Sequence, residues 1–163
     1  MNGISIDLPG MDGAAPATLE ELRAALGDTE PLMRDVEAVL VSVSERQFQT
    51  QSGPGGPWPA LTETTLELRA RRGVAGSPML QLSAGGLAAS VQGGHTDAAA
   101  WVSSNKPYAA MQFFGGVTSP QSMIPNRRIS ARPYMPFDTA TDQLTPEAEE
   151  TIMDVLEHHI GRG

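Results

Sequence analysis

The sequence predicts an α+β fold, a small, mainly antiparallel β-sheet with helices packed against it. Three observations carry this reading. Apolar residues recur at helical spacing in two segments, around 32–43 and 152–160. Short runs such as Ile4, Ile6, Leu8 and Ile129, Ala131, Pro133 alternate with polar or small residues, and Gly/Pro-rich stretches punctuate the chain between them. A chain of 163 residues buries a core of its own without metals or disulfides, so one domain, 1–163, is expected. Its parts are an N-terminal strand and helices in 1–50, a Gly/Pro loop at 51–61, sheet and helices in 62–137, and a C-terminal helix at 145–161.

Each element has a local reason. The first strand, Ile4 to Leu8, is ended by Pro9-Gly10. Thr18 and Glu21 form a capping box that opens a short helix to Leu26, with Gly27 as its stop. Leu32, Val36, Val39, Leu40 and Val43 then fall on one face of a helix that follows Pro31. Three Pro and three Gly in Ser52 to Leu61 exclude a helix or central strand, leaving an extended loop with one large apolar anchor, Trp58. Thr62 to Arg72 resumes helical character and ends in Arg69, Arg71 and Arg72, read as a solvated basic face. Ser90 to Gln92, a turn at Gly93 to Asp97 and Ala98 to Ser103 make a hairpin, with His95 at its tip and Trp101 on the second strand. In the aromatic run Tyr108 to Phe114, a helical turn is expected in which Tyr108, Met111 and Phe114 cover the sheet, and Gly115-Gly116 reverse the chain at φ values closed to other residues. Val117 to Asn126 reads as mobile, Ile129 to Pro133 as an edge strand, and Thr145-Pro146 as the cap and first position of a last helix with Ile152, Val155, Leu156 and Ile160 as its stripe.

Composition removes whole classes of chemistry. There is no Cys, hence no disulfide, thiolate metal site or Cys nucleophile, and the three His (His95, His158, His159) lack the spacing that pairs two ligands on one helix face. No cofactor and no metal are expected. A net charge of -8, with one Lys against ten Arg, opposes autonomous binding to nucleic acid. No apolar run reaches membrane-spanning or signal-peptide length, so a soluble intracellular product is expected. Ser103 or Ser104 with Lys106 in an S-x-x-K spacing, or with His95 beside Asp97, would suit a small Ser hydrolase, but the companion motifs are absent. A binding module of the cytoplasm is a third reading.

The order of the motifs is more specific than any one of them. Arg46-Gln47-Phe48 is followed by Trp58-Pro59-Ala60-Leu61-Thr62, then Leu82-Ser83-Ala84-Gly85-Gly86-Leu87-Ala88-Ala89-Ser90. Tyr108 to Gly116 and Ile129-Ser130-Ala131-Arg132-Pro133-Tyr134 complete the series. Over nearly its whole length the chain resembles the phage virion morphogenesis family, the tail-completion proteins of Mu-like and P2-like phages. It departs from the pattern at Ala84, where the family has Thr, and at Gln112-Phe113, where it often has His-Gln.

That resemblance implies a tail-terminator or tail-completion-like fold and a structural virion protein, not an enzyme, at the head-proximal end of the tail. There it would end tube growth and enable head–tail joining as a homo-oligomeric ring, a hexamer, meeting the tail tube protein and head-side neck proteins, with a lumen able to pass the genome. Its place would be the virion tail or neck, and the host cytoplasm during assembly. The alternative within the class is a head-side neck protein, a stopper or adaptor of the head–tail connector. Interface or structural roles fall to Trp58, Leu87, Tyr108, Phe114, Gly115, Gly116, Arg127, Arg128, Arg132 and Pro133. Arg127, Arg128 and Arg132 are expected to face a partner or the lumen, where they could pair with the Glu147 to Glu150 region of the next subunit.

Overall fold

The computed structural model describes residues 27–122 and 124–161. The expected strand at Ile4 to Leu8 and the capped helix from Thr18 to Leu26 lie outside the described residues. Among those described, four α-helices and four two-stranded antiparallel ladders make up an α+β fold. The strands are paired two by two instead of joining one sheet, and three of the four ladders have strands of only two residues. The chain folds as two compact units whose segments interleave.

The first unit takes residues 27–42, 92–103 and 146–161. It contains the start of helix α1 (Glu30–Thr50) and the whole of the C-terminal helix (Pro146–Ile160). Leu32, Val36 and Leu40 are buried one helical turn apart, and Ala148, Ile152 and Leu156 repeat that spacing on the last helix. The expected stripe of the last helix is therefore shifted: Val155 is half-buried and Ile160 exposed, while Ala148, too small to be noticed in sequence, is fully buried.

The hairpin in this unit differs from the expectation in a physically informative way. Its strands are β3 (Val91–His95) and β4 (Ala100–Ser104), so Gly93 and Gly94 belong to a strand and the turn lies at 96–99. Thr96 builds that turn: its N–H donates to the Ala99 carbonyl at 2.7 Å, and its hydroxyl accepts from the Ala98 and Ala99 amides at 3.2 Å each. The glycines are needed for room. A Cβ on Gly93 would stand 2.5 Å from Glu37 Cγ, and one on Gly94 2.6 Å from the Trp101 ring. Ala100 and Val102 alternate inward, in keeping with the strand period of two.

The second unit takes residues 43–91 and 104–145. The end of α1 contributes Val43, Ser44, Gln47 and Phe48 as buried residues. The Gly/Pro stretch folds as a ladder of β1 (Ser52–Gly53) and β2 (Gly56–Pro57), with Ser52 opposite Pro57. Helix α2 (Glu63–Arg71) follows, capped by Thr62, whose hydroxyl accepts from the Thr65 amide at 3.4 Å. Leu66 and Leu68 are exposed on it. Arg69, read from sequence as part of a solvated face, is instead buried, and its Nη1 donates to the Ser77 carbonyl at 2.6 Å; Arg71 and Arg72 are exposed as expected.

The core of this unit is aromatic. Phe48, Trp58, Leu87, Ala109, Phe113 and Tyr134 are buried together. The Phe48 ring meets Trp58 edge-on at 5.8 Å and Tyr134 at 5.1 Å, and Phe113 meets Tyr134 edge-on at 5.6 Å. The polar atoms of two of these rings are satisfied: Trp58 Nε1–H donates to the Pro133 carbonyl at 2.8 Å, and the Tyr134 hydroxyl to the Ala109 carbonyl at 3.2 Å. Burial, and then the neighbouring Tyr108, push the Tyr134 phenol up to about 12.

Candidate interface

Helix α3 (Ala109–Phe114) decides which aromatic groups this region buries and which it shows. A six-residue helix has two faces, and Ala109 and Phe113, four apart, take the inner one. The expectation that Tyr108, Met111 and Phe114 would cover a sheet is overturned. Tyr108 is 45% exposed and Phe114 65% exposed, with Met111 half-buried. Phe114 meets the core residue Phe113 edge-on at 4.8 Å.

The chain reverses immediately after Phe114, as the glycine pair predicts. Gly115 and Gly116 have φ of 71° and 145°. At Gly115 a Cβ would also lie 2.7 Å from the Ala131 amide nitrogen and 2.9 Å from the Ile129 carbonyl oxygen, so the two chain segments approach here as closely as backbones can. Strand β5 (Gly116–Val117) pairs antiparallel with β6 (Arg128–Ile129), Val117 opposite Arg128. The edge strand expected from Ile129 to Pro133 is thus only begun: beyond Ile129 the chain is held by the Arg132 amide, which donates to the Gln112 carbonyl at 2.8 Å.

The intervening loop is not free. Thr118 is buried, its hydroxyl donates to the Ile124 carbonyl and accepts from the Arg127 amide at 2.9 Å, and its own amide donates to the Arg127 carbonyl at 2.9 Å. Nothing in the sequence singles out this threonine, whose partners lie six and nine residues on. Its effect is to hold Val117 and Arg127-Arg128 at the base of a closed loop, with Ile124 exposed on it.

Phe114, Val117, Arg128 and Ile129 line one open groove with the backbone of 115–116 and 130–131. Val117 is 61% exposed, and Arg127 and Arg128 are exposed with no carboxylate partner among the described residues. An apolar strip flanked by uncompensated guanidinium groups suits a surface that is apolar and acidic. Arg132, expected to join this basic cluster, points inward: it is buried, and its Nη2 donates to the Pro59 carbonyl at 2.9 Å. The split follows from where the strand ends: Arg128 lies in the ladder, whereas Arg132 lies beyond it, in the chain that carries Tyr134 into the core.

Of the other residues singled out in sequence, Trp58, Leu87 and Pro133 serve the core, Trp58 at 5% exposure and Leu87 at 2%. Ser104 belongs to a structural chain of hydroxyls: it pairs with Ser90 at 2.7 Å, and Ser90 donates to the Leu87 carbonyl at 2.7 Å. Neither Ser103 nor Ser104 meets a Lys or His side chain among the described residues. His95 pairs with Glu37 of α1, across 58 residues of sequence. His159 pairs with Asp35 at 2.8 Å, and that hydrogen bond, reinforced by charge and opposed by partial burial, holds the Asp35 carboxyl below its ordinary value. No group of His and carboxylates suited to a metal is found among the described residues, and no described helix is long and apolar enough to cross a membrane.

This surface offers the exposed ring of Phe114 and the exposed guanidinium groups of Arg127 and Arg128, over a hydrogen-bonded turn of backbone. The chain belongs to the phage virion morphogenesis family, whose model matches residues 12–161. Its role is accordingly a structural one in building the phage particle. No curated protein and no solved structure matches it.

Proposed function

We propose that this protein completes the phage tail: it assembles as a ring at the head-proximal end of the tail tube, stops its growth and forms the surface that joins the head. The observation that carries the proposal is the groove between Phe114 and Arg128, an exposed apolar and basic surface on a chain whose net charge is -8 and whose family builds virions. A closed ring uses heterologous contacts, in which one patch of each subunit meets a different patch of the next. The complementary patch is the acidic first turn of the C-terminal helix, where Glu149 and Glu150 are exposed. Charge attraction sets the register of such a contact, and burial of Phe114 and Val117 supplies its affinity.

Charge exchange tests this reading. Reversal in Arg127→Glu/Arg128→Glu should abolish ring formation and tail completion in a complementation assay. Glu149→Arg/Glu150→Arg should do the same, and the combined variant should regain part of both. Equal activity of the wild type and the first double variant would exclude the groove as a ring contact. The head-side alternative is separated by location, since a neck protein of the head would be missing from tails made without capsids.

A further inference from the structure

The contact between the groove and Glu149 and Glu150 pairs charges but leaves the apolar part of the groove unmatched. Phe114 and Val117 are exposed there, and Ile129 is half-buried beside them. The acidic turn of the C-terminal helix brings carboxylates to them, since Ala148 and Ile152, its nearest apolar residues, are buried in their own subunit. The backbone of the groove adds a second demand. The amides of Ser130 and Ala131, which line it just beyond the end of β6, donate to no acceptor among the described residues. Unused N–H groups that continue a strand are a template for another extended chain. The occupant that fits is therefore extended, apolar on one face, and acidic.

Residues 4–8 have those three properties. Ile4, Ile6 and Leu8 alternate with Ser5 and Asp7, the pattern of an extended segment with one apolar face, and Pro9-Gly10 ends it. Residues 1–22 hold four acidic side chains, Asp7, Asp12, Glu20 and Glu21, and no basic one. We infer that residues 4–8 of one copy of the chain lie along the groove of a second copy, with Ile4, Ile6 and Leu8 covering Phe114, Val117 and Ile129, and Asp7 and Asp12 offsetting the charge of Arg127 and Arg128. The inference rests on the reading of the groove as a contact between subunits. Reach is sufficient: counted back from Gly27, residues 9–26 span up to about 60 Å when extended, and about 45 Å with the helix expected at 18–26.

The test is binding of a fluorescent peptide of residues 2–13 to the full chain, diluted until mass measurement shows a monomer. Affinity read by fluorescence anisotropy should fall about tenfold or more in Val117→Asp and in Arg127→Glu/Arg128→Glu, two changes at exposed positions, so that if one does not fold the other decides. A peptide carrying Asp7→Arg/Asp12→Arg should prefer the charge-reversed protein to the wild type. In assembly, Ile4→Ser/Ile6→Ser in the full chain should raise the concentration at which rings form about tenfold or more. No binding of the peptide, or equal binding by wild type and Val117→Asp, would overturn the inference. So would a wild-type monomer that refuses a peptide bound by the Ile4→Ser/Ile6→Ser chain, because the segment would then sit on its own subunit. Rings lost in Arg127→Glu/Arg128→Glu but formed normally in Ile4→Ser/Ile6→Ser refute this inference alone and leave the groove as a ring contact.

Discussion

Trp58 offers the most direct test of how the Gly/Pro segment is held. Its ring is 5% exposed, stands edge-on to Phe48 at 5.8 Å, and its N–H is bonded to the Pro133 carbonyl at 2.8 Å, a contact across 75 residues of sequence. Trp58→Ala removes the ring from a packed site, and truncations of this kind cost about 3–5 kcal/mol. Against a total stability of about 5–15 kcal/mol for a domain, that is a large fraction of the whole. Trp58→Phe separates the two contributions. It keeps most of the apolar contact but leaves the Pro133 carbonyl without its donor, a loss of about 1–3 kcal/mol. Urea unfolding of the three proteins measures both steps, provided the slope with denaturant is unchanged. A loss under about 1 kcal/mol for Trp58→Ala would refute the argument, since it would mean that the loop is held by something other than its tryptophan.

Further outcomes follow from single contacts. Gly115→Ala forces a side chain into a left-handed conformation and against the backbone of 129–131, and should lower Tm by an amount corresponding to about 1–3 kcal/mol or more, whereas Gly55→Ala, with open space around it, should be nearly neutral. Asp35 is held below its unfolded value of 3.8 by His159, so its contribution to stability is present above that value and is lost as pH falls through the folded one. Asp35→Asn should therefore remove part of the acid-side decline in stability, read by thermal unfolding across pH. Tyr134 is raised from 10.0 to about 12, so its contribution is present below the unfolded value and is lost as pH rises from 10 to 12. Ultraviolet titration should show a tyrosine that ionises near pH 12, and Tyr134→Phe should remove that step.

The sequence made the long elements legible because their signals are local. Leu32, Val36 and Leu40 mark α1 by spacing alone, and Thr145-Pro146 marks the start of the last helix because capping and the missing proline N–H are properties of neighbouring residues. Two-residue strands have no period to read, which is why four separate ladders were expected as one sheet. Within Tyr108 to Phe114 the composition pointed to a helical turn, but the choice between burying Phe113 or Phe114 depends on helix phase, and that is set by Ala109, whose small size hides it. Glycine pairs carried two meanings: Gly115-Gly116 reverse the chain, while Gly93-Gly94 lie in a strand under Glu37 and Trp101. Arg132 and His95 were misplaced for one reason. Their partners, the Pro59 carbonyl and Glu37, are 73 and 58 residues away, and a charge pattern along the chain cannot report contacts at that separation.

The central claim, a ring that completes the tail, is tested most directly by electron microscopy of tails purified from a lysate that makes no capsids, with this protein carrying a visible tag. The account predicts one layer of density at the head-proximal end of each tail, with the six-fold symmetry of a tail tube and as many tags as subunits. Tails of normal length that lack the protein, or a two-fold dimer persisting on the particle, would contradict it, because an isologous contact uses up the patch a ring needs.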